Sequence, residues 1–177
     1  MTPRTAILMA NYNSWMNHSV YDAARTLSDD AIKQDRGAFF GSIFQTLNHI
    51  AAGDAIWLHR FSMHPDFSVL ETALIDFPKP TSLRQELAKS FGELRAYRAQ
   101  LDKIIVDWSE NLTLQQLNSQ LAYSNMAGDY FSKNLGFLVQ HFFNHQTHHR
   151  GQISTLLFQA GIDIGVTDLL AVMPDEI

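Results

Sequence analysis

Imidazoles crowd the segment His141-Phe142-Phe143-Asn144-His145-Gln146-Thr147-His148-His149-Arg150-Gly151-Gln152-Ile153, which carries four of the chain's 8 histidines. Leu138, Phe142, His149, Ile153 and Leu156 recur at helical spacing and mark the face that this helix buries. His145 falls on the same stripe, between Phe142 and His149. Imidazoles at i and i+4 stand one turn apart and point the same way. Ring nitrogens aimed at a core need partners. A divalent metal satisfies two neutral imidazoles at once. Ordinary backbone or side-chain partners would also serve, and spacing alone leaves both open. His141/His145 is another i, i+4 pair and His145/His148 an i, i+3 pair, with His141 and His148 toward the edge of the stripe.

Composition narrows the chemistry. The 177 residues suit a single domain, 1–177, with a sizeable core. A formal net charge of −5 without any basic run argues against a nucleic-acid-binding surface. No apolar run approaches the roughly 20 residues of a membrane span. The N-terminal stretch lacks a long apolar core and a clear cleavage site, so a cytoplasmic location is expected. With 0 cysteines there are no disulfides, no thiolate ligands and no cysteine nucleophile. A metal must be held by His, Asp or Glu, and thiol chemistry would need a thiol supplied by the substrate.

The elements that would position the histidines follow from apolar periodicity. A first helix is expected from Pro3 to Leu27, with Leu8, Tyr12, Trp15, Ser19, Ala23 and Leu27 on its stripe. Ser28-Asp29-Asp30 interrupts that pattern and suits the cap of a short turn. A second helix is expected from Gly37 to Ser62, with Ile43, Leu47, Ile50, Asp54, Trp57 and Leu58 along one side. His49 lies on an adjoining side with Gln45, Ala52 and Gly53, small enough for another helix or a ligand to approach. Pro65, Pro78 and Pro80 make residues 63–81 a loop. A third helix is expected from Thr81-Ser82, with Ser82 and Gln85 as a capping box, Leu87 to Trp108 as its stripe, and Arg84, Lys89, Arg95 and Arg98 on a solvated face. Residues 121–131 suit a short hairpin turning at Gly128. Ser132 is the expected cap of the last helix, and Gly161 the residue just past its end. From Asp168 to Ile177 the chain reads as irregular. The result is an all-α chain, an up-down four-helix bundle with a short hairpin before the last helix. In such a bundle His49 can meet His145 and His149.

Asn144-His145-Gln146-Thr147-His148-His149-Arg150-Gly151-Gln152 closely resembles the Asn-His-x-x-His-His-Arg-Gly-Gln motif of the DinB family of metal-dependent bacterial proteins. Thr46-Leu47-Asn48-His49-Ile50, followed by Asp54 and Trp57-Leu58, resembles that family's second-helix histidine block, and Tyr12-Asn13-Ser14-Trp15-Met16-Asn17 its first-helix opening. The similarity spans roughly residues 5 to 165. It implies a four-helix bundle, a homodimer, and a divalent metal, zinc or nickel, on His49, His145 and His149. His148 matches a family histidine that is not normally a ligand.

Three neutral histidines would leave the metal its full charge and an open position. Gln146 stands where a His-Glu-x-x-His protease carries its general-base Glu, which argues against that activity. His141, His148, Tyr12 and Asp54 are candidate bases that the sequence does not rank. The leading expectation is a metal-dependent transferase acting on a small molecule with a low-molecular-weight thiol. The alternatives are a metal-water hydrolase of a small substrate and a non-catalytic metal-binding stress or interaction protein.

Overall fold

A computed structural model describes residues 1–175. Its elements are α1 (Pro3–Ala24), α2 (Asp29–Lys33), α3 (Ile43–Phe61), α4 (Ser68–Ala73), α5 (Phe91–Glu110), α6 (Leu114–Asn118), β1 (Gln120–Ser124), β2 (Tyr130–Asn134), α7 (Leu135–Gln159) and a 3₁₀ turn at Leu169–Val172. The protein is mostly helical, with a single two-stranded antiparallel sheet among the described residues. None of the described helices is long and apolar enough to cross a membrane.

Each long helix starts at a side chain that satisfies a free backbone N–H. Thr2 accepts from Thr5 N, with Pro3 in the first turn where its missing N–H costs nothing. Ser42 accepts from Gln45 N, Ser90 from Glu93 N, and Asn134 from Phe137 N. Gly161 closes α7 with a left-handed φ of 81°, which lets the Ile162 N–H reach back to the Leu157 carbonyl at 2.9 Å.

The four long helices pack as a ring: α1 lies against α5 and α7, and α3 lies against the same two. Phe61, Phe142, Phe143, Leu94, Leu101 and Ile105 are among the side chains buried between them. A polar layer crosses this core. Arg98 pairs with Asp54 and, at 3.0 Å, with Asp102. Asp102 also accepts from Asn17 Nδ2 at 2.8 Å, while Arg150 donates to Asn13. Burial raises both carboxyls against the pull of Arg98, Asp102 to about 6.

Several expected boundaries shift, each for a local reason. The first helix ends at Ala24 rather than Leu27, and Ser28 caps the short α2 instead. Its buried face is centred on Ala10, Asn13, Asn17 and Val20, because the interior carboxylate and guanidinium need the two asparagines. The second long helix starts at Ile43, not Gly37: Gly37 and Gly41 both take left-handed φ and bracket a tight turn. The third starts at Phe91, not Thr81. Gln85 Oε1 accepts from Thr81 N rather than closing a capping box with Ser82. Asn48 then fixes this stretch as non-helical, donating to the Gln85 carbonyl at 2.7 Å and accepting from Leu87 N at 2.8 Å. Arg98 is interior, not on the solvated face.

The expected loop at 63–81 contains α4, and Phe67, Leu70, Leu74 and Phe77 sink into the core. The hairpin forms with Gly128 at a left-handed φ in its turn, but it extends to Asn134. Ser132 therefore pairs with Ala122 inside the sheet, and Asn134 takes the capping position. The tail holds a short 3₁₀ turn, and its last two residues lie outside the described ones.

Arg98→Met leaves two buried carboxylates without their main counter-ion. Removing one partner of a buried pair costs about 3–5 kcal/mol. Urea unfolding should show a loss of that order, and a loss below about 1 kcal/mol would mean that the polar layer is not held by charge.

Candidate metal centre

His49 occupies the middle of α3, and His145 and His149 occupy successive turns of α7. The two helices bring these three imidazoles together, with one ligand-capable nitrogen from each within 4.8 Å of the others. Ring centroids are 4.4 Å apart for His145–His149, 4.5 Å for His49–His149 and 5.2 Å for His49–His145. The approach depends on Gly53, one turn beyond His49. A Cβ at Gly53 would stand 2.9 Å from Cε1 of His145, closer than two such atoms can sit.

Hydrogen bonds orient two of the rings. His49 Nδ1 lies 3.1 Å from the Leu83 carbonyl. A carbonyl only accepts, so the proton is on Nδ1 and Nε2 presents a lone pair. His149 Nδ1 lies 2.8 Å from Gln152 Oε1, which assigns its proton in the same way. The two Nε2 atoms then face each other at 3.2 Å with no proton between them. Two facing lone pairs repel unless a cation lies between them. This arrangement fits a divalent metal, since metal-ligating histidines donate their second ring N–H to a carbonyl or carboxylate oxygen in this manner.

Electrostatics points the same way. Burial, with a neighbouring imidazole adding to it, lowers His49 to about 4 and His145 to about 3. Burial lowers His149 too, against the opposing effect of the hydrogen bond it donates to Gln152. The rings are therefore neutral at ordinary pH, the state that ligates. Three neutral nitrogen donors suit borderline ions such as zinc or nickel and leave coordination positions free. Phe40 roofs one side, stacked on His49 at 3.9 Å and edge-on to His149 at 5.4 Å. His145 is half-buried, so the cluster is not sealed from solvent.

The other sequence candidates divide. His148 is exposed and edge-on to His149 at 4.9 Å. His141 is exposed, 6.2 Å from His145 by centroid and edge-on to Trp57. Both flank the centre. Asp54 is committed to Arg98 in the interior, and Gln146 is fully buried beside it. Tyr12 donates to the Thr167 carbonyl at 2.6 Å. Sequence reasoning missed the roof of Phe40, the Leu83 carbonyl and the tether of Asn48. Gln152 was findable, because an amide three residues after a histidine shares its helical face.

These features define a helical protein with a candidate three-histidine metal centre between two of its long helices. The sequence matches the model of the DinB family over residues 1–176, and the chain belongs to that family. It is 28% identical over 163 residues to the Protein DinB of Bacillus subtilis, covering 92% of this chain and 90% of that one. Its fold is similar to the crystal structure of a DinB-like protein from Bacillus cereus, with a TM-score of 0.55 and 18% identity over 85% of this chain and 89% of the other.

Two outcomes follow. Gln152→Leu frees the His149 ring to rotate, and loss of such an orienting partner should weaken metal binding about 10–100-fold in a competitive chelator titration. An unchanged affinity would show that Gln152 does not set the ring. In the metal-free protein, His49 and His145 have folded-state values of about 4 and 3, below the ordinary 6.5. The unfolded chain thus binds their protons first, so stability falls as pH drops below about 6.5 toward about 3. Urea midpoints through that range should fall less steeply in His49→Ala/His145→Ala, and parallel curves would contradict the assignment.

Proposed function

We propose that this chain is a DinB-like four-helix bundle, cytoplasmic and homodimeric, that holds zinc or nickel on His49, His145 and His149. We propose further that it is an enzyme joining a low-molecular-weight thiol to a small-molecule substrate. The observation that carries the metal reading is the pair of Nε2 atoms facing each other at 3.2 Å, each ring held through its other nitrogen by an oxygen acceptor. When bound, a divalent ion in an all-imidazole set keeps its positive charge and supplies Lewis acidity to a thiol or water.

The chain's own residues define the rest. Leu83 and Gln152 hold two rings in the ligating tautomer. Phe40 excludes water from one side, and the half-buried His145 leaves the cluster unsealed from solvent. His141 and His148 stand at the open rim, where an imidazole can take up a thiol proton. With no cysteine in the chain, any thiol that reacts at the ion must come from a small molecule. A metal-water hydrolase is the nearest alternative, because the same three donors serve it equally.

The test begins with elemental analysis of dialysed protein beside a His145→Ala/His149→Ala variant. About one metal per chain, absent from a variant that keeps its helical spectrum, is the expected result. The loaded protein is then given a panel of thiols with an electrophilic acceptor. Metal-dependent thiol consumption supports the transferase. Turnover of ester or amide substrates without thiol would replace it with the hydrolase, and no bound metal after zinc and nickel are offered would remove both.

A further inference from the structure

Among the described residues, three arginines are buried: Arg60, Arg98 and Arg150. Arg98 has Asp54 and Asp102, and Arg150 has Asn13 and Thr147. Arg60 is 7% exposed; its Nε is buried without a partner, and its terminal N–H groups reach solvent with no carboxylate, carbonyl or hydroxyl of the described residues accepting from them. Two rings pack against its guanidinium instead, Trp57 at 4.6 Å and Tyr123 at 5.2 Å by centroid, and these rings are themselves 5.4 Å apart, so both lie toward one side of it. Ring faces offset part of the desolvation of a cation, but they accept none of its five in-plane N–H bonds. A guanidinium that is largely covered by rings, keeps one buried N–H unpaired and has no anion of the protein beside it is a ready receptor for one.

The position of Arg60 gives that counter-ion a role. Gly53, Trp57 and Arg60 lie on one face of α3, at i, i+4 and i+7. Gly53 abuts His145, and Trp57 abuts His141, one turn earlier on α7. The seam between α3 and α7 thus runs from the three histidines, past Trp57 and His141, to Arg60. Its length from Gly53 is about 10 Å at the rise of an α-helix. His141 adds a second hydrogen-bonding group beside Arg60, and Tyr123, backed by Phe131, forms the outer wall.

We propose that Arg60 is the receptor for a carboxylate at the far end of an elongated substrate whose near end lies at the three histidines. Trp57 and Tyr123 pack against one side of the guanidinium and leave its solvent-reaching fork to meet the carboxylate. The chemical class is a small acid with an extended, largely apolar body. The near end of this assignment rests on the proposed metal site. The Arg60 end stands on its own, and the test separates the two.

Zinc-loaded protein is titrated with octanoate and with octanol while the Nε–H resonance of Arg60 is followed by NMR. A shift with octanoate that octanol does not produce, and that is lost in Arg60→Gln, is expected. No octanoate-specific shift overturns the proposal, whatever the metal does. Cobalt-loaded protein is then titrated with 8-mercaptooctanoate and 8-mercaptooctanol, and the cobalt–sulfur absorption reports thiol binding. The acid should bind about tenfold more tightly than the alcohol, and Arg60→Gln should erase the difference while the alcohol binds as before. Equal binding of the two thiols overturns the Arg60 assignment and leaves the metal–thiol reading intact. No cobalt–sulfur band with either thiol refutes the metal–thiol reading, and the octanoate titration then decides Arg60 alone. Arg60→Lys keeps the charge without the fork and should retain part of the preference, which a purely ring-packing role for Arg60 would not produce.

Discussion

The centre exists because α3 and α7 approach closely enough for imidazoles from both to meet. Gly53 sets that distance, since its missing side chain is the space that the His145 ring fills. A one-turn register then does the rest. His145 and His149 project from the same face of α7, and His49 stands across from them one turn along α3 from the glycine. Rigid helices thus carry all three donors, and neither loop contributes one. Such placement is precise, because moving any donor means moving a helix that is packed into the core.

The loops act on orientation instead. Asn48 and His49 are neighbours in sequence and both grip the stretch between α4 and α5. Asn48 binds the backbone of Gln85 and Leu87, and His49 binds that of Leu83. The stretch is kept from becoming helix by the same contacts that fix the His49 tautomer. The turn closed by Gly37 and Gly41 delivers Phe40 onto the same ring, with Arg84 of the first stretch 5.8 Å from the Phe40 centroid. Order in these two segments and orientation of His49 are therefore one property, not two.

The histidine stripe on α7, the hairpin at Gly128, the end of α7 at Gly161 and the small face around Gly53 were all legible, because each follows from spacing or from a residue with a single strong backbone preference. What was not legible arose from tertiary partners. Ser82 and Gln85 have the spacing of a cap, yet Asn48, distant in sequence, outcompetes the helix for that backbone. Arg98 looked solvated because single-sequence periodicity does not register a buried carboxylate on another helix. The buried face of α1 was misplaced for the same reason, since Asn13 and Asn17 are polar residues turned inward by interior charges.

The same interior charges explain why the ligand set can be neutral. Asp54 is on α3, one residue beyond Gly53, close enough for its charge to act on His149. A carboxylate that joined the donors would halve the charge of a divalent ion and fill its open position. Arg98 prevents this by holding Asp54 in the core, where Gln146 is buried beside it. The fold thus keeps its acids on the far side of α3 and its imidazoles on the near side. With a divalent ion held there, as proposed, that segregation would leave its charge uncompensated by protein carboxylates, and the guanidinium of Arg60 lies along the same seam.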